Sequence, residues 1–179
     1  MISLSVVMAA NSGTLVPLND FLRHIIHTHL KDRAAGVLWE IGRQGQLDPH
    51  DELRCLKRCV QSYYPGRPSF VDDNWKENEV GVDSCYFAHG DFRGCRVPKD
   101  GRFVDFVEAQ RSNIQLGAFP CASEIRAPLP WPVPPPLVRE RVTGRYYVLD
   151  GQLRVIRHCY HDVPKVTAFA YAGDCMDST

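Results

Sequence analysis

The side chains best suited to chemistry fall within Arg145 to Ala170, which reads RYYVLDGQLRVIRHCYHDVPKVTAFA. Asp150, Gly151 and Arg154 lie there within five residues. A carboxylate such as Asp150 can hold a hard cation. A guanidinium such as Arg154 grips an anion as a charged fork. Glycine permits a sharp turn and close backbone approach. The flanking elements position these groups. Tyr146 to Leu149 form an aromatic and branched run that suits a buried strand. Leu153, Ile156, Cys159 and Tyr160 recur at helical spacing, so a helix starts near Gln152. Val166 to Tyr171 read as another strand after Pro164. A strand, glycine turn and helix aim backbone N–H groups at an anion. Gly151, Gln152, Leu153 and Arg154 are the expected phosphate contacts, and Asp150 the expected metal ligand.

Composition bounds the rest. The chain has 179 residues, enough for one domain with a large insertion. It is 44% hydrophobic and 23% charged, ordinary values for a globular protein. Its 21 basic and 21 acidic residues cancel, so any DNA contact requires a local patch. Arg93, Arg96, Lys99 and Arg102 are that candidate patch, with Phe92 and Phe103 interleaved for stacking. An ordinary solvated face is the competing reading. No Walker-A lysine motif is present. No apolar run reaches about 18 residues, so no membrane span is expected. The seven cysteines form no regular framework and read as reduced thiols of a cytoplasmic protein. Cys55 and Cys59 are four apart on one helix, and Cys85, His89 and Cys95 are a second metal-like cluster. A zinc site could use the first spacing but would need two further ligands, so buried core thiols are favoured there, and the second spacing fits no compact zinc module.

Further elements follow in order. Met1 to Ala10 suits a buried strand, and Leu15 to Leu18 a strand or its end. Asp32 can cap a helix that closes at Gly45. Asp48-Pro49 with Asp51 marks a strong helix start. Val71 to Glu79 is polar and is expected to loop, Val82 to Ala88 to form a strand. Asp100 can cap a helix that turns Phe103, Phe106 and Val107 to one side. Pro128 to Pro136 holds six of the thirteen prolines and reads as a stiff strap back to the sheet. Leu137–Val142 and Arg145–Leu149 then pair across Thr143-Gly144 as a hairpin. Ala172 to Thr179 are small and polar and are expected to fray.

The run YYVLDGQLRVI resembles the phosphate-binding motif of the ParB/sulfiredoxin superfamily, a strand ending in Gly-x-x-Arg at a helix N-terminus. LVPLNDF, a His-bearing segment and a helix ending IGRQGQL are similar to the start of ParB-like and free-serine-kinase-like domains. The resemblance implies an α+β fold, a small mixed sheet flanked by helices. The family core would be about 14–47 and 136–172, within one domain spanning 1–179. Residues 48–135 would be a large helical and irregular insertion.

Departures narrow the activity. His27 matches a histidine that follows a Glu-Glu pair in serine-kinase-like members, but Ile25-Ile26 stand there, so the base that activates a serine hydroxyl is missing. Gln152 replaces the cysteine of sulfiredoxins. Gln152 and Leu153 replace the Glu-Arg of chromosome-partitioning ParB proteins. What remains is similar to plasmid fertility-inhibition proteins, the group that includes the oncogenic-suppression protein. That resemblance implies ATP binding, ATP hydrolysis and DNA cleavage with Mg2+ or Mn2+, and blockade of a type IV secretion component. Arg154, Asp150 and His27 would be its catalytic groups. The alternatives are a phosphotransferase acting from ATP on a small hydroxyl metabolite, and a non-catalytic inhibitor that binds a secretion or partition partner.

Overall fold

The computed structural model describes residues 13–30, 49–65, 68–72, 74–129, 135–142 and 144–171. The expected N-terminal strand, the helix from Asp32 to Gly45, the middle of the proline strap and the fraying tail lie outside them. Chain order gives β1 (Thr14–Leu15), α1 (Leu18–Ile25), a π-helical turn (Ile26–Leu30) and α2 (Pro49–Tyr63). A 3-10 turn (Pro68–Val71) leads to β2 (Trp75–Gly81) and, past a second 3-10 turn (Val82–Ser84), β3 (Cys85–Phe87). The small β4 (Asp91–Phe92) and β5 (Cys95–Arg96) precede α3 (Phe103–Gln115) and α4 (Ala122–Arg126). Last come β6 (Leu137–Val142), β7 (Arg145–Asp150), α5 (Gln152–Tyr160) and β8 (Lys165–Tyr171).

The architecture is mixed α+β. Six strands form one mixed sheet in the order β1-β2-β8-β6-β7-β3, and β4-β5 make a separate ribbon. The expected hairpin is present: β6 and β7 pair antiparallel. Its turn uses Gly144 at φ +77°, whose N–H donates to Glu140 Oε1 at 2.7 Å. β6 runs parallel to β8, and β3 parallel to β7 at the edge.

Alternation along the strands divides the core in two. Val138, Val148, Val166, Ala168 and Ala170 point to one face and pack with Val155 and Ile156 of α5, Phe103, Phe106 and Val107 of α3, and Ile125 of α4. Trp75, Leu137, Phe169 and Tyr171 point to the other face and pack with Phe21, Leu22 and Ile25 of α1 and Leu56 and Val60 of α2.

Three expectations need correction. The segment expected to be helical and irregular also supplies strands to the main sheet: β2 pairs with β8 over seven residues, from Trp75↔Tyr171 to Gly81↔Lys165, and β3 extends the far edge. The stretch read as a loop from Val71 to Glu79 contains most of β2. Its residues look polar because Glu77 and Glu79 are exposed while Trp75 and Val80 carry the burial. Asp100 does not cap α3. It sits at φ +61°, and Arg102 is the residue before the first turn.

Candidate functional site

The corner between β7 and α5 has the geometry read from the sequence. Gly151 adopts φ +86°, ψ 22°, the left-handed region that glycine enters without a Cβ penalty. Space demands glycine as well. A Cβ at 151 would lie 2.8 Å from Pro136 Cβ, 2.9 Å from its Cα and 3.1 Å from Arg154 Nη1. The chain then turns directly into α5. A helix start leaves its first N–H groups without intrahelical acceptors, and here Gln152 and Leu153 carry them. The positive end of the peptide dipoles gathers at the same place.

The charged groups are tied into this corner. Asp150 Oδ1 accepts from the Gly151 N–H at 2.6 Å, and its Oδ2 accepts from the Tyr64 hydroxyl at 3.0 Å. Arg154 Nη1 donates to the Pro135 carbonyl at 2.8 Å. Burial pushes the Arg154 guanidinium below the ordinary arginine range, and the Asp150 charge opposes that shift. An arginine starts so high that it stays cationic near neutrality. The Pro135 carbonyl also meets His24 Nε2 at 3.1 Å, and the His24 ring stands edge-on to Phe169 at 4.7 Å. The strap's last residues therefore lie against the glycine turn, joined to α1 and α5 through one carbonyl oxygen.

The histidine brought to this corner is His24, whereas His27 is exposed on the π-helical turn. His24 lies three residues after the buried Phe21, so α1 carries it toward Phe169. That spacing was available in the sequence. Tyr64 was not recognisable as a partner of Asp150, because the contact joins residues 86 apart.

Two of the four cations of the predicted patch are paired with carboxylates. Arg93 Nη1 pairs with Glu124 at 2.6 Å. Arg102 makes two bonds to Asp105, at 2.8 and 2.7 Å. Arg96 and Lys99 are exposed. The two aromatic rings are no stacking platform: Phe103 is fully buried against Phe87 at 3.8 Å, and Phe92 is buried beside Phe119. A further cationic recess, on α2, is lined by His50, Arg54, Lys57 and Arg58; no feature of the linear sequence had drawn attention to it.

Metal chemistry has a narrow footing. Among the described residues, no group of three or more His, Cys, Asp or Glu side chains could hold an ion. Cys55 is exposed and Cys59 buried, and burial raises the Cys59 thiol. Cys85 is buried, donates to the Gly81 carbonyl at 3.5 Å, and is pushed up to about 12 by burial. At the corner, Asp150 is a single carboxylate. That fits magnesium, which takes one or two carboxylates together with substrate phosphates. It does not fit a cage built of protein ligands alone. Among the described residues, no helix is long and apolar enough to cross a membrane.

Comparison with family models, curated proteins and solved structures finds no match to this chain.

Proposed function

We propose that the β7–α5 corner binds the phosphates of a nucleotide, and that the protein is an ATP-binding hydrolase with DNA nuclease activity. In this reading it acts as a plasmid fertility-inhibition factor against DNA transfer by type IV secretion. The observation that supports it most is the left-handed Gly151 between a strand end bearing Asp150 and a helix start bearing Arg154. The amides of Gln152 and Leu153 would orient a phosphate. Arg154 would offset its charge in a partly buried setting, where an ion pair is less screened than at the surface. Magnesium held by Asp150 and the nucleotide's own phosphates would supply polarisation of the phosphoryl oxygen. His24 and Tyr64 are the polar groups closest in the network and would orient Asp150 and the strap.

Calorimetric titration with ATP, with and without magnesium, tests this reading. Saturable binding is expected, stronger with magnesium and lost in Arg154→Ala. ATP hydrolysis and plasmid nicking should disappear in the same variant. Hydrolysis by purified Arg154→Ala at the parental rate rules the assignment out.

One set of contacts favours a second reading, a non-catalytic domain that binds a secretion or partition partner. Arg154 and His24 share the Pro135 carbonyl, which is also how a chain fastens a strap for structural reasons alone. In that case Arg154→Ala lowers stability, ATP binds neither protein, and inhibition of transfer persists.

A further inference from the structure

We infer that the outer end of the sheet formed by β3, β7 and β6 is a docking face for single-stranded nucleic acid. The inference rests on the DNA-directed reading above and adds the surface and the strandedness.

Strand alternation creates the face. On β3 and β7, Cys85, Phe87 and Val148 enter the core beneath α3 and α5, so Tyr86 and Tyr147 point the opposite way. They stand in register, and their rings stack at 5.6 Å with 29° between planes. Neither belongs to either apolar cluster among the described residues. Arg139 is the register partner of Tyr147 on β6. Arg141, two residues on, lies on the same side, with its guanidinium 4.9 Å from the centre of the Tyr147 ring. Arg145 lies 5.4 Å over Tyr86. Arg141 and Arg145 are exposed, Tyr86 is half-buried, and Tyr147 is buried beneath Arg141.

The chemistry selects the occupant. Guanidinium groups held over aromatic rings offer planar surfaces on which a base can stack, and positive charge beside them for phosphates. Bases expose their flat faces only when unpaired, so a duplex could use the charge but not the planes. Glu140, the register partner of Tyr146, alternates to the other side of the sheet, and its Oε1 accepts from the Gly144 N–H. The face therefore presents Arg141 and Arg145, set over a stacked tyrosine pair, to a polyanion. An acidic protein segment would need the charge alone.

Fluorescence anisotropy of the full chain with labelled oligothymidylate, in EDTA and without ATP, tests the inference. The double variant Arg141→Ala, Arg145→Ala should lose about tenfold or more in affinity. Its slope of log affinity against log salt should flatten by about 1.4, the release expected for two single-strand phosphates. The double variant Arg141→Lys, Arg145→Lys should keep the slope yet lose affinity, since it keeps charge without planes. Arg96→Ala with Lys99→Ala should stay within about twofold of the parent, and ATP titrations should be unaltered in every variant. Unchanged oligothymidylate affinity in the alanine variant, with a native circular dichroism spectrum, overturns the inference and leaves the corner to be judged by ATP. Equal competition by duplex or by polyglutamate overturns it too, in favour of a charge-only surface.

Discussion

The β7–α5 corner and the loop from Arg93 to Arg102 both carried a chemical expectation, and the fold treats them differently. At the corner, short-range geometry decides. Glycine, strand end and helix start are adjacent in sequence, so the turn at Gly151 is set by its own residues. In the loop, the expectation depended on where side chains would point, and that is decided by residues beyond it. Glu124 takes Arg93, Asp105 takes Arg102, and α3 draws Phe103 into the core. Charge in a stretch of sequence is thus a poor measure of charge offered to a ligand, whereas a positive-φ glycine between strand and helix is a reliable mark of a bend.

Substitutions can break this comparison, beginning with the largest effect. Phe103→Ala should cost about 4 kcal/mol in urea unfolding, because the ring is fully buried against Phe87. A loss of DNA affinity with unchanged stability would return Phe103 to the role of a stacking surface. Gly151→Ala should cost about 3 kcal/mol, combining the left-handed backbone with collision against Pro136; an unchanged unfolding midpoint would show that the turn relaxes without glycine. Arg154→Ala should cost about 2 kcal/mol through the Pro135 carbonyl and the partly buried Asp150 charge left behind. Arg93→Ala should cost under about 1 kcal/mol, since its ion pair with Glu124 is exposed on both sides.

Acid sharpens the same contrast. His158 is buried in α5, its Nδ1 lies 2.8 Å from the Arg154 carbonyl, and burial lowers its pKa below the ordinary value. The unfolded chain therefore binds a proton at higher pH than the folded chain does. The stabilising contribution is present above about pH 6.5 and declines as pH falls through the lowered folded value. Replacing His158 with Gln should flatten the unfolding free energy across that interval, as thermal melts at successive pH values would reveal.

Much of the site's backbone was legible in advance. The hairpin, the glycine turn, α5 and β8 are read from local patterns, and so is the start of α2 at Pro49. β2 was missed because its exposed residues are glutamates and its two buried side chains, Trp75 and Val80, face opposite sides of the sheet. Hydrophobic alternation is weak in such a strand, and its identity comes from pairing with β8, about ninety residues later. The same distance effect hid Tyr64 from Asp150 and the Pro135 carbonyl from Arg154 and His24. The choice between His24 and His27 was different in kind: helical spacing from Phe21 contained it, and the motif match pointed elsewhere.

The seven-residue ladder between β2 and β8 also bears on synthesis. β8 is an interior strand, seated between β2 and β6, yet it leaves the ribosome after both. Until Lys165 to Tyr171 emerge, the nascent chain holds two strands whose shared neighbour does not yet exist, and their backbone edges stay open to other molecules. Completion of the sheet is therefore a late, long-range closure event. A chain truncated just before Lys165 should therefore be prone to aggregate.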